Sequence, residues 1–412
     1  MRRSCLLWMV VAVCVAVTPF AWRKFRDMRL EAEFQEQIRL ARAEGIPTTA
    51  AEFAATIKPA SREENAAPFY RLLKERRPKG LLGHSDFLDL LFRPNPQIIQ
   101  RAKGIVAANQ ETIKLLEEAS SRPRCWFDRD WSEGFALLFP EFAHMKEASR
   151  LLWTRGSIAA AEGRVADAIQ DAWRMHRVAR HAGEEPVMIG RLVMIAIHVM
   201  ALEALARWGF QSGNPRYAEE LERMAKSLPP VDRKAEQSAE LFAYLIAFEM
   251  ERSSKGPRLL GVDEPDFLEK LKALRLNPAL GKVQYVRAFR RLWAALDLPE
   301  GQRSPEFKSA LNQIAAALEH FPMVSQLTAH LVPEELEMQS RAGEVARVVY
   351  LAAARALRDP ASRRKPDLSG LVSPYDKSPV RYSYDGTRMT IEVRTGPSSS
   401  KVVSIPPLSA TP

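Results

Sequence analysis

The sequence predicts a mainly α-helical protein: an N-terminal transmembrane helix, then a multi-helix bundle or helical-hairpin array, then a small C-terminal β-hairpin. Three observations predict it. Residues 5–22 (CLLWMVVAVCVAVTPFAW) carry no charge over eighteen positions. Between Thr49 and residue 358, capping residues and prolines recur ahead of apolar residues at helical spacing. Past residue 380, alternating segments flank Asp385-Gly386.

The apolar segment is long enough for a bilayer. As a helix it spans about 27 Å, close to the hydrocarbon thickness, and Trp8 and Trp22 stand near its ends where amphipathic rings prefer the interface. A cleavable leader needs small residues before its cut, but Pro19, Phe20 and Trp22 occupy that region. Val13 stands where a lipobox ending at Cys14 needs a small residue. The expected division is a basic start at 1–4, an anchor at 5–22, a juxtamembrane helix at 23–45, a helical domain at 46–358 and a tail at 359–412. Cations on the two sides of the anchor are nearly balanced. A short basic start before an apolar run is, however, the layout of a signal anchor, which exports the polypeptide beyond it. A bacterial inner-membrane location with the body in the periplasm is therefore expected.

At 412 residues, the chain exceeds the roughly 100–200 of one domain, so two units or one elongated one are expected. Its 46% hydrophobic content supplies a sizeable core. The net charge of +10 is confined to the ends. Residues 1–30 hold six basic and one acidic side chain, and residues 355–412 hold ten and five. The body between them is neutral. A nucleic-acid binder needs a basic face on its folded domain, so no nucleic-acid partner is expected. Cys5 and Cys14 lie in the anchor, which leaves Cys125 alone in the body, without partners for a disulfide or a thiolate zinc site.

Along the chain, the first helix continues through Phe34, Ile38 and Ala41 and stops at Gly45 and Pro47. Thr49 caps a short helix reaching about Ile57. Ser61 and Glu64 form a capping-box pattern over 62–77, with Pro68 marking a kink or later start. Asn95-Pro96 opens a helix through Ile98, Ile105, Ile113 and Leu116. Residues 122–140 are irregular yet hold Trp126, Phe127, Trp131, Phe135 and Phe139, so this stretch packs down. Helices are expected at about 141–162, 165–182, 187–209, 215–227, 232–253, 265–275, 278–297, 304–321 and 333–358. The run Val187–Ala206 holds Arg191, His198 and Glu203, which fits a helix buried in a bundle better than a second span. The tail hairpin covers 380–394, and Lys401–Ile405 adds a third strand.

Chemistry is thinly marked. Glu141 and His144 share one helix face, as metal-ligating Glu-x-x-His pairs do, but no second such pair is present. Asp128 and Asp130 begin like a calcium loop that fails at Glu133 and Phe139, where glycine and glutamate are needed. Glu141, His144, Asp128 and Asp130 are the candidate catalytic residues; no metal or cofactor site is expected. His176 and His181 lie five apart, on different faces of one helix. Phosphate-binding, nucleophile-elbow and zincin motifs are missing. Gly156, Ala159–Ala161, Gly163 and Ala168 form a helix–GR–helix pattern resembling half of a tetratricopeptide repeat, in which small residues let two helices approach.

The basic start and anchor, EENAAPFYRLL at 63–73, the long segment 150–205 and the tail hairpin resemble a group of helix-rich, single-pass bacterial membrane proteins with no assigned activity. Ser378-Pro379-Val380-Arg381-Tyr382 before Asp385-Gly386 is similar to the carboxyl end of type II secretion pseudopilins, with Ser378 where they carry glycine. The first resemblance carries no activity over; the large, neutral helical body without recognisable chemistry makes a membrane-anchored scaffold that binds another protein the expected function. The second implies a secretion or pilus accessory. An extracytoplasmic enzyme whose site assembles only in three dimensions is the remaining expectation.

Overall fold

A computed structural model describes residues 2–83, 85–86, 89–90, 94–227, 233–251, 277–298, 300–321, 333–396 and 399–405, with the backbone alone over 2–17. The chain is mainly helical and ends in a three-stranded antiparallel sheet. It divides into two compact units, one of residues 1–57, 130–138 and 233–334, the other of 58–129, 139–232 and 335–412.

The first unit begins with α1 (Arg2–Ala43), a single unbroken helix. The uncharged stretch 5–22 and the residues after it thus share one helix axis. Gly45, at φ +77°, lets the chain turn out of α1, and Ile46 bonds back to the Ala41 carbonyl at 3.0 Å. Thr49 accepts from the Glu52 amide and starts α2 (Ala50–Thr56). A 3-10 turn at Trp131–Ala136 puts Trp131 edge-on to Phe53, with ring centroids 4.9 Å apart.

Later in the chain, α10 (Arg233–Glu251), α11 (Pro278–Ala295) and α12 (Glu300–Leu318) complete the unit. Their apolar faces close on Ile38, Ala41 and Ile46, with Phe248 stacked on Phe321 at 4.0 Å. Arg290 ties α11 back to Glu44 and Gln37 of the α1 end. The helix expected at 265–275 lies outside the described residues.

The second unit opens with α3 (Ala67–Leu72). The expected helix 62–77 is shorter for two reasons. The Ser61 hydroxyl does accept from the Glu64 amide and donate to the Glu64 carboxylate, but Asn65 then binds the Trp126 backbone at 2.8 and 2.9 Å, and Pro68 starts the helix only beyond it. The helix expected through Leu116 is likewise two, α4 (Pro96–Ala108) and α5 (Gln110–Ser121). Asn109 at the break is buried, and its amide bonds both backbone groups of Lys79. That long-range exchange outweighs one continuous helical ladder.

Next come α6 (Pro140–Ala161), α7 (Val165–Ala182), α8 (Met188–Ser212) and α9 (Pro215–Lys226), each packed on its chain neighbour. Gly163, at φ +73°, turns α6 into α7. Gly156 lets α6 and α8 approach closely: a Cβ there would lie 2.5 Å from the Trp208 ring of α8. Among the residues whose side chains are described, α8 is the one helix long and apolar enough to cross a membrane, and 56% of its apolar window is buried within the structure. Arg191, His198 and Arg207 along it are buried.

α13 (Pro333–Leu357) and α14 (Pro360–Arg364), capped by Asp359, lead to the sheet. β1 (Arg381–Tyr384), β2 (Met389–Arg394) and β3 (Ser400–Ile405) lie in that order. Pairs such as Tyr382 with Ile391 and Ile391 with Val403 fix the register. Gly386, at φ +95°, and the Asp385 carboxylate, which accepts from the Thr387 and Arg388 amides, close the hairpin. Met389, Ile391 and Val393 are buried, so one face of the sheet rests on the body.

Candidate functional site

The α6–α7 hairpin and α5 enclose a cleft of about 230 Å³ in the second unit. Its wall is almost entirely charged: Glu117 from α5, Arg155 from α6, Arg164 at the turn, and Asp167, Gln170, Asp171 and Arg174 from α7. The placement follows from helix period. Ala168, Ala172, Met175 and Ala179 form the buried stripe of α7, and Asp171 falls inside that stripe rather than on the wet face. A carboxylate so placed needs cationic partners. Arg155 supplies a two-pronged pair, Nε to Oδ2 at 2.8 Å and Nη2 to Oδ1 at 2.6 Å, and Arg174 adds Nη1 to Oδ1 at 2.8 Å. Glu117 accepts from Arg155 at 2.9 Å and lies 3.3 Å from Arg174. These carboxylates hold the Arg155 guanidinium above its usual range despite its burial. At the rim, Arg164 and Asp167 pair at 2.5 Å, both half exposed.

The cleft therefore presents alternating fixed charges. It is suited to recognising a polar or zwitterionic group by fork-like hydrogen bonds. Nothing in its wall is a histidine, cysteine or hydroxyl poised as a nucleophile.

The four residues singled out from sequence are dispersed. Glu141 and His144 do lie near the start of α6, but their side chains engage different partners. The Glu141 carboxylate accepts from Arg129 at 3.2 Å, whereas His144 Nε2 lies 3.5 Å from the Arg77 guanidinium. Burial, then Arg77, lowers the His144 pKa. Asp128 is exposed, and its main-chain carbonyl accepts from Arg71. Asp130 belongs to the first unit, where Ser132 hydrogen bonds hold its exposed carboxyl below the usual range. Among the described residues, no group of three His, Cys, Asp or Glu could hold a metal ion.

Three buried polar assemblies had no linear signal. Arg129 lies over the Phe127 and Phe139 rings at 4.7 and 4.5 Å and bonds Glu185 at 3.0 Å. Burial pushes the Glu185 carboxyl up to about 7, against the opposing pull of Arg129. Tyr70 Oη lies 2.7 Å from His181 Nδ1, and His181 Nε2 lies 3.0 Å from the Arg122 carbonyl. Only the Nε2–H tautomer of His181 can donate to that carbonyl, so Tyr70 donates to Nδ1. The third joins His176 and His198, Nδ1 to Nδ1 at 2.9 Å, with Ser227 Oγ 3.2 Å from His176 Nε2. Burial holds both of these histidines neutral, at about 4 and about 3. Cys125 is buried as well, and its thiol is pushed far above the usual range, so it is not a thiolate.

The cleft was not singled out from the sequence; a charged residue at a buried helix position, as at Asp171, is the signal that could have found it. The pairs of Arg129 and of His176 join residues far apart in the chain and leave no such trace. Compared with protein-family models, curated proteins and solved structures, the chain matches none of them.

Proposed function

We propose that this chain is a protein of the bacterial inner membrane, tethered through residues 5–22, whose exported helical body binds another protein. The observation that carries the reading is the continuity of α1. One helix without a break runs from Arg2 to Ala43, and its distal part supplies Phe34, Ile38 and Ala41 to the core of the first unit. An apolar stretch joined this way holds a folded body close to the bilayer rather than on a loose leash. The burial within α8, which includes Arg191 and His198, supports its role as a core helix, leaving 5–22 as the single span.

The test has two arms. Membranes from cells expressing the full chain are washed with alkaline carbonate, and alkaline phosphatase is fused at the carboxyl end. Retention in the pellet with phosphatase activity in intact cells is expected. Release by carbonate would end the tethered reading, and an inactive fusion would place the body in the cytoplasm. For the partner, a photo-crosslinker at exposed Gln170 should give one discrete adduct that Arg164→Glu removes. An unchanged adduct pattern would exclude the cleft as its docking surface.

A second reading rests on the cleft itself: an extracytoplasmic enzyme or small-molecule receptor with Asp171 and Arg155 at its floor. Saturable heat of binding for a zwitterionic metabolite, lost in Gln170→Ala, would favour it over the scaffold.

A further inference from the structure

Just beyond the uncharged stretch, α1 exposes three large apolar side chains. Trp22, Phe25 and Met28 are 69%, 63% and 64% exposed, while the residues that enter the core begin only at Phe34. Interleaved with them are Arg23, Lys24, Arg26 and Arg29, all exposed, with Asp27 the one acid among them. Asp27 pairs with Arg26 at 3.4 Å, and Arg23, Lys24 and Arg29 meet no carboxylate among the described residues. From Glu31 onward, acidic residues join in and pairing resumes, as at Glu33 with Arg287 and Glu36 with Arg39.

We propose that residues 22–29 form a collar that binds the anionic phospholipid headgroups of the leaflet from which α1 emerges; the inference rests on the tethered reading above. Two features fix the occupant. The first is charge: four cations beside an apolar span, three of them meeting no carboxylate among the described residues, are complementary to anionic headgroups. The second is angular distribution. At about 100° per residue, Trp22, Phe25 and Met28 cover an arc of about 120°, and Arg23, Lys24, Arg26 and Arg29 spread over about 220°, with Arg26 and Arg29 on either side of Trp22 and only the sector of Phe25 and Met28 left without a cation. An amphipathic helix lying flat on a membrane segregates its cations onto one face. Cations spread over so wide an arc, two of them flanking Trp22, suit a helix that continues the span and meets headgroups on most of its sides, its long side chains reaching outward from an apolar stem. Residues 22–29 rise about 10 Å, enough to carry the helix through the headgroup layer of one leaflet.

The experiment uses the full-length chain in phosphatidylcholine vesicles with a trace of spin-labelled lipid, either phosphatidylglycerol or phosphatidylcholine. Electron spin resonance reads the share of label held immobile against the protein. The anionic label should be held about fivefold in preference, the effect of roughly one cation near a charged surface. The preference should fall toward parity at high salt and in R23Q/K24Q/R26Q/R29Q, whose exposed sites leave the fold intact. Equal retention of both labels, or a preference unchanged in that variant while K401Q behaves as wild type, overturns the proposal. Carbonate extraction of the same vesicles separates the two failures. A released protein refutes the anchor and the collar together, whereas a retained protein without selectivity refutes the collar alone.

Discussion

The Arg155 guanidinium and the Asp171 carboxylate meet fork to fork across the α6–α7 turn, by bonds of 2.8 and 2.6 Å, and Asp171 is only 2% exposed. Arg174 shares the same carboxylate. Removing that negative charge leaves two guanidinium groups beside a low-dielectric core with Glu117 alone to share between them. Asp171→Asn should therefore cost about 2–3 kcal/mol, below the full value for a wholly buried pair because Arg155 keeps some contact with water. Urea unfolding followed by tryptophan fluorescence measures it. A midpoint indistinguishable from wild type would show that the cleft is not a structural anchor.

The same hairpin depends on a missing side chain. A Cβ on Gly156 would come within 2.5 Å of the Trp208 ring, and Trp208 is held by its own hydrogen bond from Nε1 to Ser157 Oγ at 3.2 Å. The ring is buried, at 1% exposure. Gly156→Ala should lower stability by about 1–3 kcal/mol even though alanine favours the helix. A thermal midpoint equal to or above that of wild type would contradict the packing.

These two cases show how far the sequence carries. The α6–α7 hairpin was legible because small residues at Gly156, Ala159 and Ala168 follow helix spacing and Gly163 marks the turn. The tail hairpin was legible because Asp385-Gly386 sits between alternating segments. Local signals failed where distant residues decide. The Ser61 hydroxyl caps the Glu64 amide, yet Asn65 is claimed by Trp126, sixty-one residues away, and the helix starts late. Asn109 breaks a helix that periodicity would continue, because Lys79 offers its backbone. Glu141 and His144 share a local spacing that suggested one site, but Arg129 and Arg77 draw them to separate partners. A spacing rule sees one helix, whereas those partners come from other segments.

Acid should weaken the fold through its buried histidines. His176, His181 and His198 are held neutral by burial, at about 4, about 4 and about 3. In the unfolded chain they titrate near 6.5. Between those values, the unfolded state binds the protons that the folded state refuses, so stability is fully present above about pH 6.5 and is lost as pH falls toward 4. Each histidine contributes up to about 1.4 kcal/mol per pH unit inside that window. His198→Leu should therefore reduce the slope of unfolding free energy against pH, between pH 6 and 4.5, by about that amount. An unchanged slope would mean that His198 is protonated, or open to water, in the folded protein.

Arg129 and Glu185 give the opposite sign. Glu185 is raised to about 7 by burial, above the roughly 4.3 of an unfolded glutamate, so its contribution to stability is present at low pH and diminishes as pH rises through 7. Arg129 limits that loss by bonding Glu185 and Glu141 while its flat face rests on Phe127 and Phe139. Arg129→Met keeps much of the apolar contact but strands both carboxylates, and should cost about 3–5 kcal/mol at pH 8 and distinctly less at pH 5.5, where Glu185 takes up a proton. Adding Glu185→Gln should restore part of the loss at pH 8 but little at pH 5.5. A double-mutant cycle at the two pH values checks both statements. Additive effects, equal at the two pH values, would show that the arginine stabilises through its ring contacts and that the carboxylate next to it is indifferent to its charge.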